Sequence, residues 1–227
     1  MKHTSLAITL LLVLIACCRC QKEHQPNEAD DTIILVGEEN YFKPLLDLIP
    51  DSLKNVFPSY LGDLPNGPIP PNIKGEYRID SLQLLHSNYN SSDNTSEIHL
   101  LIRQQHNRVA SVKIHQSTTA QTDTAFVMGD VIVTENGTLQ RFTLYLIENK
   151  DINFQGAHTV TRLVVFKGDK TPQGIQNLIY GSIVLDSDFE PTSYVGPFTP
   201  GAYFVYKDKD GLAQNDNWFD PEKGGTP

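Results

Sequence analysis

Few side chains in this sequence stand at spacings that support chemistry. The three cysteines, Cys17, Cys18 and Cys20, cluster near the N-terminus. From Gln21 onward the body has no thiol, so it can form no disulfide, thiolate metal site or cysteine nucleophile. His99 and His115 lie on neighbouring strand-like runs joined by a short loop. Two facing imidazoles can begin a metal site, but no carboxylate or third imidazole is evident on those runs, and polar surface is the simpler reading. Asp208-Lys209-Asp210-Gly211 matches part of a calcium loop but lacks the further oxygen ligands and the terminal acid, which leaves a strand-ending turn. Asp186, Asp188 and Glu190 alternate along a strand end, where charges commonly protect an edge from mispairing. Glu76, Glu97 and Glu148 are candidate glycosidase carboxylates, yet no two can be placed at the required separation from sequence. No Gly-x-Ser-x-Gly elbow or His-Glu-x-x-His helix occurs. The expectation is a protein that is not an enzyme, with no catalytic residue, metal or cofactor.

The formal charge of −9 argues against nucleic-acid partners held by phosphate contacts. A hydrophobic content of 39% with 20% charged residues fits a globular body. Residues 1–20 have the form of an export signal. Lys2 and His3 precede an apolar run, Leu6 to Ile15, that is too short to span a bilayer, which takes roughly 20 residues. The run ends in Leu14-Ile15-Ala16-Cys17, which resembles the bacterial lipobox. That resemblance implies cleavage before Cys17 and diacylglyceryl transfer to its thiol, with the acyl chains holding the protein at the membrane. The sequence therefore divides into a signal peptide (1–16), a polar tether (17–31), a helical preface and linker (32–71), a β domain (72–213) and a tail (214–227).

Within the preface, Thr32–Val36 reads as one short strand. Leu45, Leu46 and Ile49, then Leu53, Val56, Phe57 and Tyr60, recur at helical spacing. Pro50 and Pro58 must end or kink what precedes them, so two short helices are expected to pack on the body, with Pro44 in a first turn and Asp51 or Ser52 capping the second. From Lys74 to about Asp210 nearly every run alternates. Candidate strands are Glu76–Asp80, Leu82–Ser87, Glu97–Gln105, Val109–Gln116, Thr122–Val127, Asp130–Glu135, Leu139–Glu148, Thr159–Lys167, Asn177–Ser187 and Tyr203–Lys207. Asn136-Gly137 is the strongest hairpin signal, because it accepts the positive φ of a type I′ turn. Asn90, Asn94 and Asn136 stand in glycosylation sequons and read as polar turn residues. Burial of one face sets the register of the hairpin around His106. Pairing Ile102 with Val112 and Leu100 with Ile114 requires a three-residue loop, His106-Asn107-Arg108, and places His99 opposite His115. Many short strands with no intervening helix imply an antiparallel barrel or sandwich.

The β domain opens with Pro70-Pro71-Asn72-Ile73-Lys74-Gly75-Glu76-Tyr77, and its late strand runs from Gly201-Ala202-Tyr203 into Asp208-Lys209-Asp210-Gly211-Leu212. The Gly-x-Tyr opening resembles the Gly-x-Trp opening of lipocalins and other calycins. Together with the lipobox and helical preface, it more closely resembles uncharacterised lipocalin-like lipoproteins of Gram-negative gut bacteria. The resemblance covers about residues 45–213. It implies a mainly β fold, an antiparallel lipocalin-like β-barrel of about eight to ten strands, and no established activity. It places the protein in the bacterial cell envelope, anchored at the outer membrane by its lipid. Tyr77 stands where secreted lipocalins carry Trp, the body has no disulfide, and Thr122-Asp123-Thr124 only echoes their Thr-Asp-Tyr signature. Two functions follow. In the first, a small hydrophobic or amphiphilic ligand lies inside the barrel against Tyr77, Phe142, Tyr145, Phe166, Tyr180 and Phe204. In the second, the barrel is filled and the protein is a structural or interaction module of the envelope.

Overall fold

The computed structural model describes residues 44–65, 67, 69–94, 96–116, 119–134, 137–153, 157–189 and 196–218. Cys17, the tether, the Thr32–Val36 run, Asn136 and Glu190 lie outside these described residues. The alternating runs form ten antiparallel strands of one sheet. They are β1 Gly75–Ile79, β2 Leu82–Ser87, β3 Ile98–His106, β4 Val109–Gln116, β5 Thr119–Thr134, β6 Gly137–Asn153, β7 Ala157–Thr171, β8 Gly174–Ser187, β9 Tyr203–Asp208 and β10 Leu212–Asn215. The order is β10-β1-β3-β4-β5-β6-β7-β8-β9-β2, and β10 also pairs with β8. Eight strands therefore close into a ring, with β9 and β2 continuing outside it along β8. The change of partner falls within β8: Gly174–Gln176 face β10, and Ile179–Ile183 face β9. Asn177, with φ 53°, sits between the two stretches.

Side-chain alternation gives the ring its two faces. Ile98, Leu100 and Ile102 of β3, Ala125 and Val127 of β5, Phe142, Leu144 and Leu146 of β6, and Val164 and Phe166 of β7 join one buried cluster. Tyr77 of β1, Ala110 and Val112 of β4, Ile175 of β8 and Ala213 of β10 belong to it too. Only the inside of a ring lets side chains from all eight strands meet. The opposite parity of β6 to β9 supplies Tyr145, Leu163, Val165, Ile183 and Val205 to a second cluster, which the preface covers with Leu45, Ile49, Leu53, Phe57 and Leu61.

The preface consists of α1 (Leu45–Leu48), a 3₁₀ turn at Asp51–Leu53 and α2 (Phe57–Leu61). Pro44 precedes α1 as its cap position. Pro58 does not end a helix; it sits in the first turn of α2, where a missing N–H breaks no intrahelical bond. Neither Asp51 nor Ser52 caps α2, which has no side-chain cap, and Asp51 instead pairs with Lys54 at 2.7 Å. At the far end Lys167 Nζ donates to the Leu61 carbonyl at 2.7 Å. Phe57 reaches so close to β8 that a Cβ on Gly181 would stand 2.8 Å from its ring.

The β3–β4 register agrees with the sequence argument: Leu100 pairs with Ile114, Ile102 with Val112 and His99 with His115. The connection differs. His106 pairs with Val109 across a shorter turn, and the odd residue is taken up by a bulge between Arg103 and His106. Gln104 and Asn107 accept positive φ there, at 47° and 50°. Thr122–Val127 and Asp130–Glu135 are one continuous strand through Thr134. Gly129 is a strand residue at which a Cβ would meet the Arg141 carbonyl at 2.4 Å and Pro71 at 2.5 Å, so the linker and β6 both press on it. β10 was not anticipated from sequence, because Leu212-Ala213-Gln214-Asn215 carries little apolar character.

Candidate functional site

Along β6 the inward positions run Phe142, Leu144, Leu146, then Glu148 and Lys150; along β7 they run Phe166, Val164, then Arg162. The inner face thus turns from apolar to charged toward one end of the ring. Glu148 and Arg162 are directly opposed across the two strands. Arg162 Nε donates to Glu148 Oε2 at 2.8 Å, and Nη2 donates to the same oxygen. Glu148 is only 5% exposed, so this guanidinium is what makes a buried carboxylate tolerable. Lys150 is half-buried and has no ion-pair partner among the described residues. Burial pushes its ammonium pKa down, the Arg162 charge pushes it further, and Glu148 only partly offsets them.

These groups line a recess of about 20 Å³ together with Ile114, Gln116, Val164 and Tyr180. Burial raises the Tyr180 phenol to about 12 and, as the first cause, that of Tyr89 to about 12. The segment after β2 is tied across this end by hydroxyls. Ser91 Oγ lies 2.9 Å from the Tyr206 hydroxyl, which donates to the Ser92 carbonyl at 3.0 Å. Tyr89, Ile152 and Phe198 pack nearby on Val160, Val184 and Ala202.

The aromatic residues selected from sequence do not form one pocket lining. Phe166, Tyr180 and Phe204 are contiguous: Phe166 stacks on Tyr180 at 4.9 Å, and Phe204 meets Tyr180 edge-on at 5.3 Å. Tyr77 and Phe142 belong to the same interior cluster and are fully buried. Tyr77 donates its hydroxyl to the Ile73 carbonyl at 2.7 Å, and Lys170 Nζ lies 4.7 Å from the centre of its ring. Gly75, at φ 153°, is required beside it, because a Cβ there would stand 2.7 Å from the Tyr77 oxygen. Tyr145 is outside the ring, under the preface. Residues 142 and 145 differ by an odd number, so one strand cannot point both inward. The charged end was missed for the converse reason. Counting inward parity past Leu146 would have reached Glu148 and Lys150. Among the described residues that line the recess, Glu148 is the one carboxylate.

Two other groups of titratable side chains stand apart from the recess. On the outer face His99 is 4% exposed, with Nε2 2.7 Å from Glu97 Oε1 and Nδ1 2.8 Å from Asp216 Oδ2. Both nitrogens can donate only in the imidazolium form. Trp218 stacks on His99 at 4.6 Å and on His115 at 4.2 Å. Carboxylates therefore do reach the histidine pair, one of them from beyond β10, but they occupy both His99 nitrogens. No group of three or more His, Cys, Asp or Glu is placed to hold a metal among the described residues. The second group is at the end of β9. Asp208 is buried there with neither oxygen hydrogen-bonded. Burial first, then the Asp210 and Asp80 carboxylates, push it up to about 7, against a smaller lowering by the Lys209 backbone N–H.

Comparison with known proteins finds no match to a family model, a curated protein or a solved structure.

Proposed function

We propose that the chain is a lipid-anchored, non-enzymatic module of the bacterial cell envelope, built on a lipocalin-like barrel whose interior is filled by its own side chains. The observation that carries this reading is the interior itself. Tyr77, Phe142, Leu144 and Phe166 are fully buried against one another. The recess left at the charged end is about 20 Å³, whereas a pocket for a drug-sized ligand takes roughly 300–1,000 Å³. Recognition then belongs to the outside. Beyond Phe126, β5 loses β4 and pairs with β6 alone, as a ribbon. Val131, Ile132 and Val133 stand exposed on it, at 51%, 39% and 83%. Val131 and Val133 share one face of the ribbon and Ile132 lies on the other, so apolar side chains stand exposed on both faces for a partner to cover. The lipid anchor rests on Leu14-Ile15-Ala16-Cys17.

Mass spectrometry of gently extracted protein tests the filled interior. No stoichiometric lipid-like compound is expected, and one that co-purifies would restore the hydrophobic-ligand reading. Cys17→Ala protein is expected to lose acyl labelling and membrane association; retained labelling would remove the anchor.

A further inference from the structure

We propose that the recess at the charged end of the ring binds a small monoanion between Lys150 and Arg162. The first argument is charge. The recess gathers two cationic side chains, Lys150 and Arg162, and one carboxylate, Glu148. Arg162 is committed to Glu148 through Nε and Nη2, both on one oxygen. Lys150 is left as a half-buried ammonium without an ion-pair partner among the described residues. Burial is the first cause of its lowered pKa, and repulsion from Arg162, only partly offset by Glu148, adds to it. An anion beside it would cancel that repulsion where solvent screens poorly.

The second argument is size and lining. A recess of about 20 Å³ has room for a guest about the size of one water molecule. Val164 and Tyr180 at its wall lead directly into the packed cluster, so no acyl chain can follow a head group inward. The guest is therefore a halide or a comparably small anion, not an amphiphile. Gln116 and Tyr180 complete the polar part of the wall. A cation is disfavoured there by the same excess positive charge. The inference is independent of what the outer ribbon recognises.

Chloride is the probe. Unfolding of the purified protein is followed at constant ionic strength while chloride replaces gluconate, an anion too large for the recess. Chlorine-35 line width is measured in parallel. The expected result is a saturable rise in Tm with chloride and broadening that requires folded protein. Lys150→Met should weaken the chloride response at least tenfold, Lys54→Met should leave it intact, and Glu148→Gln should tighten it. Coincident chloride and gluconate curves for the unaltered protein would overturn the proposal without recourse to any variant. So would a full chloride response in the Lys150→Met protein.

Discussion

Replacing Asp208 by Asn should make this protein more stable at neutral pH and leave its stability unchanged in acid. Asp208 is 5% exposed and neither carboxylate oxygen has a hydrogen-bond partner. Its pKa rises from an ordinary 3.8 to about 7, chiefly through burial and then through Asp210 and Asp80. Near pH 3 the folded and unfolded chains both carry the proton. Between 3.8 and about 7 the folded chain keeps a proton that the unfolded chain has released, so stability falls as pH rises. Above about 7 the whole cost is present. The interval between the two values corresponds to about 4 kcal/mol as an upper bound. Asp80 is 43% exposed at its side chain and Asp210 is exposed, and solvent screening of both brings the expected cost to about 2 kcal/mol. Urea unfolding of the two proteins at pH 4, 6 and 8 measures it. The Asp208→Asn protein should match the parent near pH 4 and exceed it by about 2 kcal/mol at pH 8. A variant that is less stable at pH 8, or a difference that does not change with pH, would refute the claim that burial of this carboxyl costs stability when it ionises.

Two further outcomes test packing outside the ring interior. His99→Gln leaves one side-chain amide where an imidazole met two carboxylates, and should cost about 1–3 kcal/mol. Trp218, the sole tryptophan, reports the release directly: its emission should move to the red and become quenchable by acrylamide, and an unchanged spectrum would mean the clamp does not hold the tail. Gly181→Ala drives a methyl to within 2.8 Å of Phe57, and should lower stability by about 1–3 kcal/mol. Adding Phe57→Leu should recover part of that loss, and strictly additive losses would deny the contact.

Sequence reasoning worked where a single physical signal decided the matter. Burial of one strand face fixed the His99–His115 register, although the structure spends the odd residue on a bulge at Gln104 instead of in the loop. Proline and apolar spacing located the preface helices, but Pro58 can occupy a first turn as readily as it can end a helix, and composition does not say which. The expected break between Val127 and Asp130 does not occur, because Gly129 is a close approach by Pro71 and β6 inside one strand. Strand β10 was invisible because its pairing with β1 and β8 is made by backbone, which leaves no pattern in side chains. Tyr145 was assigned inward with Phe142 against the parity of its own strand. The carboxylate on His99 from Asp216 could not be read, since the two residues lie 117 positions apart.

Closure by β10 also imposes an order of events. Tyr77 in the first strand pairs with Asn215 in the last, and Ile175 of β8 pairs with Ala213. Until Leu212–Asn215 is in place, β1 and one end of β8 present bare hydrogen-bonding edges. A chain delivered from its N-terminus cannot finish the ring before its final strand arrives. Topologies dominated by such distant pairings fold slowly and expose edges meanwhile. The interval between delivery of β1 and arrival of β10 is when this protein is open to mispairing. The four-residue seam that ends the interval carries a weight in biogenesis out of proportion to the apolar surface it buries.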